Sequence, residues 1–173
     1  GTYHCVEERD LRVIYNEPAL EKVTRLLNTV RPQVVFTHSP DDSHLDHEQT
    51  SKLVRAATFA APIPNFLHGR GAEEFPPLDH IPHVFYCDPL EGKDAFGNPI
   101  PPSFRVDITS AIDEKGAMLA CHESQRAWLR KHHGVDNLVD SMKAWSAAQG
   151  QAAGVPFAEG FRQHLGHSYP QDN

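Results

Sequence analysis

Short apolar runs alternating with stretches of helical periodicity constrain this chain most. Leu20, Val23, Leu27 and Val30 recur at helical spacing, behind Asn16 as an N-cap and Pro18 in the first turn. The spacing predicts a helix over 17–30, stopped before Pro32. Residues 33–37 (QVVFT) then read as a short buried parallel strand, because the run is apolar and β-branched. From Asp46 the pattern is helical again, with Leu53, Val54, Ala57 and Ala61 on one side, and it ends before Pro62.

The same alternation continues downstream. Residues 62–82 are Pro-rich and loop-like, 83–87 (HVFYC) form a second buried strand, and 88–102 form a long Gly- and Pro-containing loop. A third strand is expected at 104–108, and a short one upstream at 11–15. Ser110 with Asp113 approximates a capping box that opens one helix through Ile112, Met118, Leu119 and Leu129, with Gly134 as its stop. A further helix starts at Asp136, runs through Leu138, Met142 and Trp145, and closes at Gly150 and Gly154. Residues 157–161 suit an edge strand, and 163–173 a tail. Trp128 and Trp145 lie on predicted helices and are expected to be packing residues, and His132 with His133 to complement a helix dipole. Together these elements predict a single α/β domain over 1–173, a three-layer sandwich with a mainly parallel sheet.

Composition excludes several classes of function. A formal charge of −7 argues against nucleic acid and anionic membrane as partners. The longest apolar stretch, 56–63, is too short to span a bilayer, and the opening residues lack the apolar core of a secretion signal. Cys5, Cys87 and Cys121 form no Cys-x-x-Cys pair, so reduced thiols in a cytoplasmic setting are expected. The chain has no initiator Met and opens in unpatterned polar sequence, which suggests a fragment or processed chain.

Chemistry concentrates just after the strand at 33–37, where ligands sit in parallel α/β sheets. His44 and His47 lie three apart at a helix start, so both imidazoles can face one side of the first turn. The helix N-terminus disfavours imidazolium and so favours a neutral His47 able to coordinate a cation. Zinc takes imidazole and carboxylate ligands, and Asp46, beside both histidines, is placed to orient one ring. One turn does not fill a tetrahedral shell, so at least one further ligand is expected from elsewhere. The plain alternative is a solvated loop whose Asp46 caps the next helix.

The stretch from Val34 to His47 (VVFTHSPDDSHLDH) resembles the second signature of the PIG-L/LmbE-like zinc-dependent N-deacetylases, a strand followed by His-Pro-Asp-His. Residues 115–125 (KGAMLACHESQ) are similar to the family's Lys…His-x-Ser-Gln helix, and 158–162 (AEGFR) to its Glu-x-Phe-Arg segment. The resemblance implies a Rossmann-like fold, one zinc per complete site, and removal of an N-acetyl group from an amino sugar or glycoside. It implies His47 as zinc ligand. It implies His44, held by Asp46, as oxyanion stabiliser or proton donor. Asp42, His122, Glu159 and Arg162 would line the substrate pocket. Leu45 stands where the family has Pro.

The family's first signature, His-Pro-Asp-Asp-Glu at the end of a strand, has no match upstream of residue 33. The stretch 38–42 (HSPDD) looks similar, but it carries an inserted Ser and sits where the second signature begins. The expectation is therefore that the N-terminal β-α-β portion is missing, and that such a segment or a second chain completes the site. A homo-oligomer stays open. Two other functions compete. A metallo-β-lactamase-type hydrolase would need His-x-His-x-Asp-His, and here Asp42 replaces the first His. A truncated, non-catalytic or partner-binding fragment is the other.

Overall fold

The computed structural model describes residues 1–67, 69, 73–134 and 136–171, and divides into two compact units, Gly1–Pro101 with Arg162–Asn173, and Pro102–Phe161. Part of the loop expected at 62–82 and the end of the expected tail lie outside the described residues.

In the first unit α1 (Glu17–Val30) begins where the Asn16 side chain accepts the Ala19 N–H at 2.9 Å, with Pro18 in the first turn. It ends on Arg31 in the left-handed region (φ 53°), whose N–H returns to the Leu27 carbonyl at 2.7 Å. β1 (Val34–Thr37) follows, and the chain turns through the motif loop into α2 (Leu45–Ala60). Leu27, Ala57, Ala61 and Leu78 form the buried core between the helices, with Leu20, Val23 and Val35 packed against it. β2 (His83–Cys87) pairs with β1 in parallel, Val34 with His83 through Thr37 with Tyr86.

β1 corrects an expectation. Val35 faces the helical core, but Val34 (44% exposed) and Phe36 (58%) do not, so β1 is not buried on both faces. Within this unit, α1 and α2 pack from the Val35 side. The strand expected at 11–15 also fails to form. Its alternate N–H groups, from Leu11, Val13 and Tyr15, donate instead to side chains of α2, the first two to Asp46 and the third to Gln49. An extended segment laid on a helix finds acceptors in that helix's side chains, because the helix's own carbonyls are already engaged. The loop at 88–102 carries its own organisation: the Asp94 carboxylate accepts the N–H groups of Phe96 and Asn98, both at 2.8 Å.

The second unit contains β3 (Phe104–Asp107), α3 (Ile112–Ala120), α4 (Glu123–His133) and α5 (Leu138–Ala153). The single helix expected from Ser110 is two helices. The break falls at Cys121–His122, where His122 has ψ 63° and Glu123 N–H donates to the Cys121 carbonyl at 2.9 Å. The expected capping box does not form: α3 has no side-chain cap, and Asp113 pairs with Lys143 at 2.8 Å. Gly134 (φ 70°) ends α4, and Asp136 beyond it is gripped by Arg126 and Arg130. Trp128 and Trp145, expected as packing residues, are both exposed, and Trp128 lies against His132 with ring centroids 4.9 Å apart.

β4 (Ala158–Gln163) runs across the boundary between the units. Ala158 to Phe161 pair antiparallel with β3, Phe104 opposite Phe161 and Asp107 opposite Ala158. Just past the strand, His164 N–H donates to the Val84 carbonyl of β2 at 2.8 Å. The strand order is β1-β2-β4-β3, and the sheet is mixed rather than mainly parallel. Among the described residues no helix is long and apolar enough to cross a membrane.

Candidate metal centre

The site grows from the junction of β1 and α2. Thr37 ends the strand buried, and the loop after it buries Ser39 and Asp42 while leaving Asp41 and Ser43 exposed. His44 has an extended backbone (φ −107°, ψ 118°), the geometry of an N-cap, so the chain enters α2 directly after it. His47 follows in the first turn.

Asp42 organises this corner. One carboxylate oxygen accepts the backbone N–H of His44 at 2.9 Å, and the other lies 3.0 Å from His47 Nδ1. His44 Nδ1 stands 3.7 Å from the first oxygen and 3.1 Å from Ser43 Oγ. Glu48 accepts the Asp42 N–H at 3.4 Å. The two imidazoles face each other with centroids 4.9 Å apart. His38 stacks on the other side of His47 at 4.1 Å and 4° between planes. The His38 pKa lies below its ordinary value. Loss of solvent around the ring is the main cause, His47 adds to it, and Asp42 opposes it. His38 nonetheless keeps an exposed edge.

One ligand atom from each of Asp42, His44 and His47 falls in a group whose members all lie within 4.8 Å of one another. Zinc binds imidazole nitrogen and carboxylate oxygen at about 2.0–2.2 Å, which puts neighbouring donors roughly 3.3 Å apart. Separations of 3.0 and 3.7 Å fall on either side of that value. A carboxylate with two imidazoles is also the chemistry that zinc accepts, so these residues fit a divalent cation. The His44 side chain is 58% exposed, which leaves one side of the cluster open.

The remaining candidates divide. Asp46, expected to hold His44, points its carboxylate at the N–H groups of Leu11 (2.6 Å) and Val13 (3.3 Å), so Asp42 is the carboxylate engaged with the histidines. Arg162 braces the motif loop from behind, its Nη2 donating to buried Ser39 Oγ at 2.6 Å. Two candidates belong to the second unit: exposed His122 at the start of α4, and Glu159, paired with Lys115 at 2.6 Å. His38 and Ser39 were not singled out as site residues from sequence, although the stretch 38–42 is the signal that contains them together with Asp42.

An α/β sheet carrying a carboxylate–imidazole cluster at the end of a strand defines a class: α/β proteins with a candidate cation site beyond the sheet. Residues 2–58 match the family model PIG-L, described as GlcNAc-PI de-N-acetylase. That range contains the motif loop; the segments 115–125 and 158–162 lie outside it. Three solved structures share the fold. A conserved protein of Thermus thermophilus is 26% identical with a TM-score of 0.66, the match covering 93% of this chain and 64% of that one. The 4-carboxy-2-hydroxymuconate hydratase of Pseudomonas putida is 19% identical at TM-score 0.70, covering 95% and 65%. The N,N'-diacetylchitobiose deacetylase of Pyrococcus horikoshii is 22% identical at TM-score 0.72, covering 95% and 58%. Over residues 2–58 this chain is similar to the PIG-L family, and over most of its length it shares the fold of these structures. It spans less than two thirds of the length of each of these three structures.

Proposed function

We propose that the complete protein is a cytoplasmic zinc-dependent hydrolase that removes an N-acetyl group from an amino sugar or glycoside. The observation that carries this reading is the Asp42–His44–His47 cluster on the loop inside the family match. Asp42 and His47 would hold the metal. Bound zinc would supply an acidified water and polarise the amide carbonyl.

The chain's own residues do the rest. Without a cation, Asp42 holds His47 Nδ1 at 3.0 Å, which keeps that ring turned toward the carboxylate with which it would share the metal. His44 is the most exposed of the three, and its ring is placed to hydrogen-bond an oxyanion or to give a proton to the leaving amine. Arg162 holds Ser39, and with it the loop that carries Asp42. A preceding segment or second chain would add a ligand and a general base, so cation binding is expected of the cluster and turnover of the complete protein.

An amino-sugar substrate is supported by two likenesses, to the GlcNAc-PI de-N-acetylase family over residues 2–58 and to the chitobiose deacetylase of similar fold. The test is acetate release from N-acetylglucosamine-type glycosides by the complete protein, with hydration of 4-carboxy-2-hydroxymuconate assayed beside it. Acetate release that requires zinc and falls at least a hundredfold in H44A supports the reading. Hydration without acetate release would replace it with the chemistry of the hydratase-like neighbour.

A further inference from the structure

The first unit holds an open cavity of about 520 Å3 on the far half of α2. Small-molecule sites range over about 300–1,000 Å3. Arg55 lies eight residues beyond His47, which is about 12 Å along the helix axis at 1.5 Å per residue. A ligand here is therefore separate from the metal cluster.

The residues around the cavity show a built wall. Ala56 and Ala60, four apart on α2, supply its small side chains, while Arg55 and Phe59, also four apart, supply its large ones. The segment after β4 closes the opposite side, and its rings are fixed. Tyr169 OH donates to the Arg55 carbonyl at 2.6 Å, and His164 Nδ1 lies 3.0 Å from Tyr86 OH. The His164 and Tyr169 rings meet edge to face at 4.2 Å, and Phe59 stands 6.0 Å from Tyr169. Gly166 allows the chain to fold back over His164: a Cβ there would lie 2.6 Å from His164 Nε2.

The charge of this wall is one-sided. Among the described residues no carboxylate pairs with Arg55, whose electrostatic neighbours are Tyr86, Tyr169 and His164. The His164 pKa is lowered, first by burial and then by Arg55, so the ring stays neutral and does not balance the guanidinium. An exposed guanidinium with no carboxylate partner among the described residues, beside fixed aromatic rings, matches a ligand with an apolar body and a single anionic head.

We propose that the cavity lined by Arg55, Phe59, His164 and Tyr169 binds a small molecule that joins an aromatic or alkyl body to one carboxylate or sulfonate. The anionic head pairs with the Arg55 guanidinium, and the body lies on Phe59 and Tyr169 over the two alanines.

The test is a fluorescence titration of the full chain with 1-anilinonaphthalene-8-sulfonate, followed by displacement with decanoate or decanol. The proposal expects saturable binding at one site, and displacement by decanoate at least tenfold better than by decanol. R55M should weaken binding at least tenfold with its near- and far-UV circular dichroism unchanged, and R55K should keep most of it. Equal binding by wild type and R55M, or equal displacement by acid and alcohol, would overturn the proposal. Bound probe per chain that falls as protein concentration rises would also overturn it, since a second copy would then cover this wall.

Discussion

Two carboxylates flank His44, and each has its own set of partners. Asp42 sits just before the helix and folds back over the first turn, onto the His44 N–H and the His47 ring. Asp46 lies inside the first turn and points toward the N-terminal segment. Adjacency in sequence favours Asp46 as partner of the histidines, but successive helical residues are turned by about 100°, so neighbours diverge. The cluster's location was therefore legible from the sequence and its carboxylate was not. Two predictions separate them. D42N should weaken zinc binding at least tenfold, read by calorimetric titration. D46A should leave zinc binding unchanged and cost about 1 kcal/mol in urea denaturation, the loss of two N–H acceptors at a partly exposed site.

At the level of elements, local signals carried the boundaries that chemistry fixes locally. Asn16 and Pro18 start α1, Pro32 follows its end, and Gly154 (φ 74°) closes α5, each where the sequence marks it. The split between α3 and α4 carries no proline or glycine at the break, so periodicity ran straight through it. Strand direction was equally silent, because the apolar pattern of β4 is the same read either way along its partner. Gly150 shows a tertiary demand overriding propensity. Ala is the better helix former, yet a Cβ at this position would lie 2.6 Å from the Val155 carbonyl oxygen. G150A should thus destabilise the chain by about 1–3 kcal/mol in urea or thermal unfolding. The segment after β4 carries a pH dependence. Folding lowers the His164 pKa below its ordinary 6.5, mainly by burial and then through Arg55. Between the two values the unfolded chain binds more protons, so stability falls as pH drops below about 6.5. Urea midpoints measured across pH 5–8 should show this slope, and H164Q should reduce it, the remainder coming from His38, whose pKa is lowered as well.

For the whole molecule, the shared fold covers both a deacetylase and a hydratase, so architecture alone does not select a reaction. The proposed reaction rests instead on the corner where Asp42, His44 and His47 meet, inside the stretch that matches the family model. The alternation of strands and helices was legible because burial imposes its period directly on the sequence. The exposure of Phe36 and the antiparallel pairing of β4 arise from how elements are placed, and no local pattern encodes that. The most direct test of the account is a calorimetric zinc titration of the chain beside H47A, after removal of metal by chelation and dialysis. One zinc should bind per chain, weakened at least a hundredfold in H47A while circular dichroism stays the same. Zinc binding that is equal in the two proteins, or absent from the wild-type chain, would contradict it.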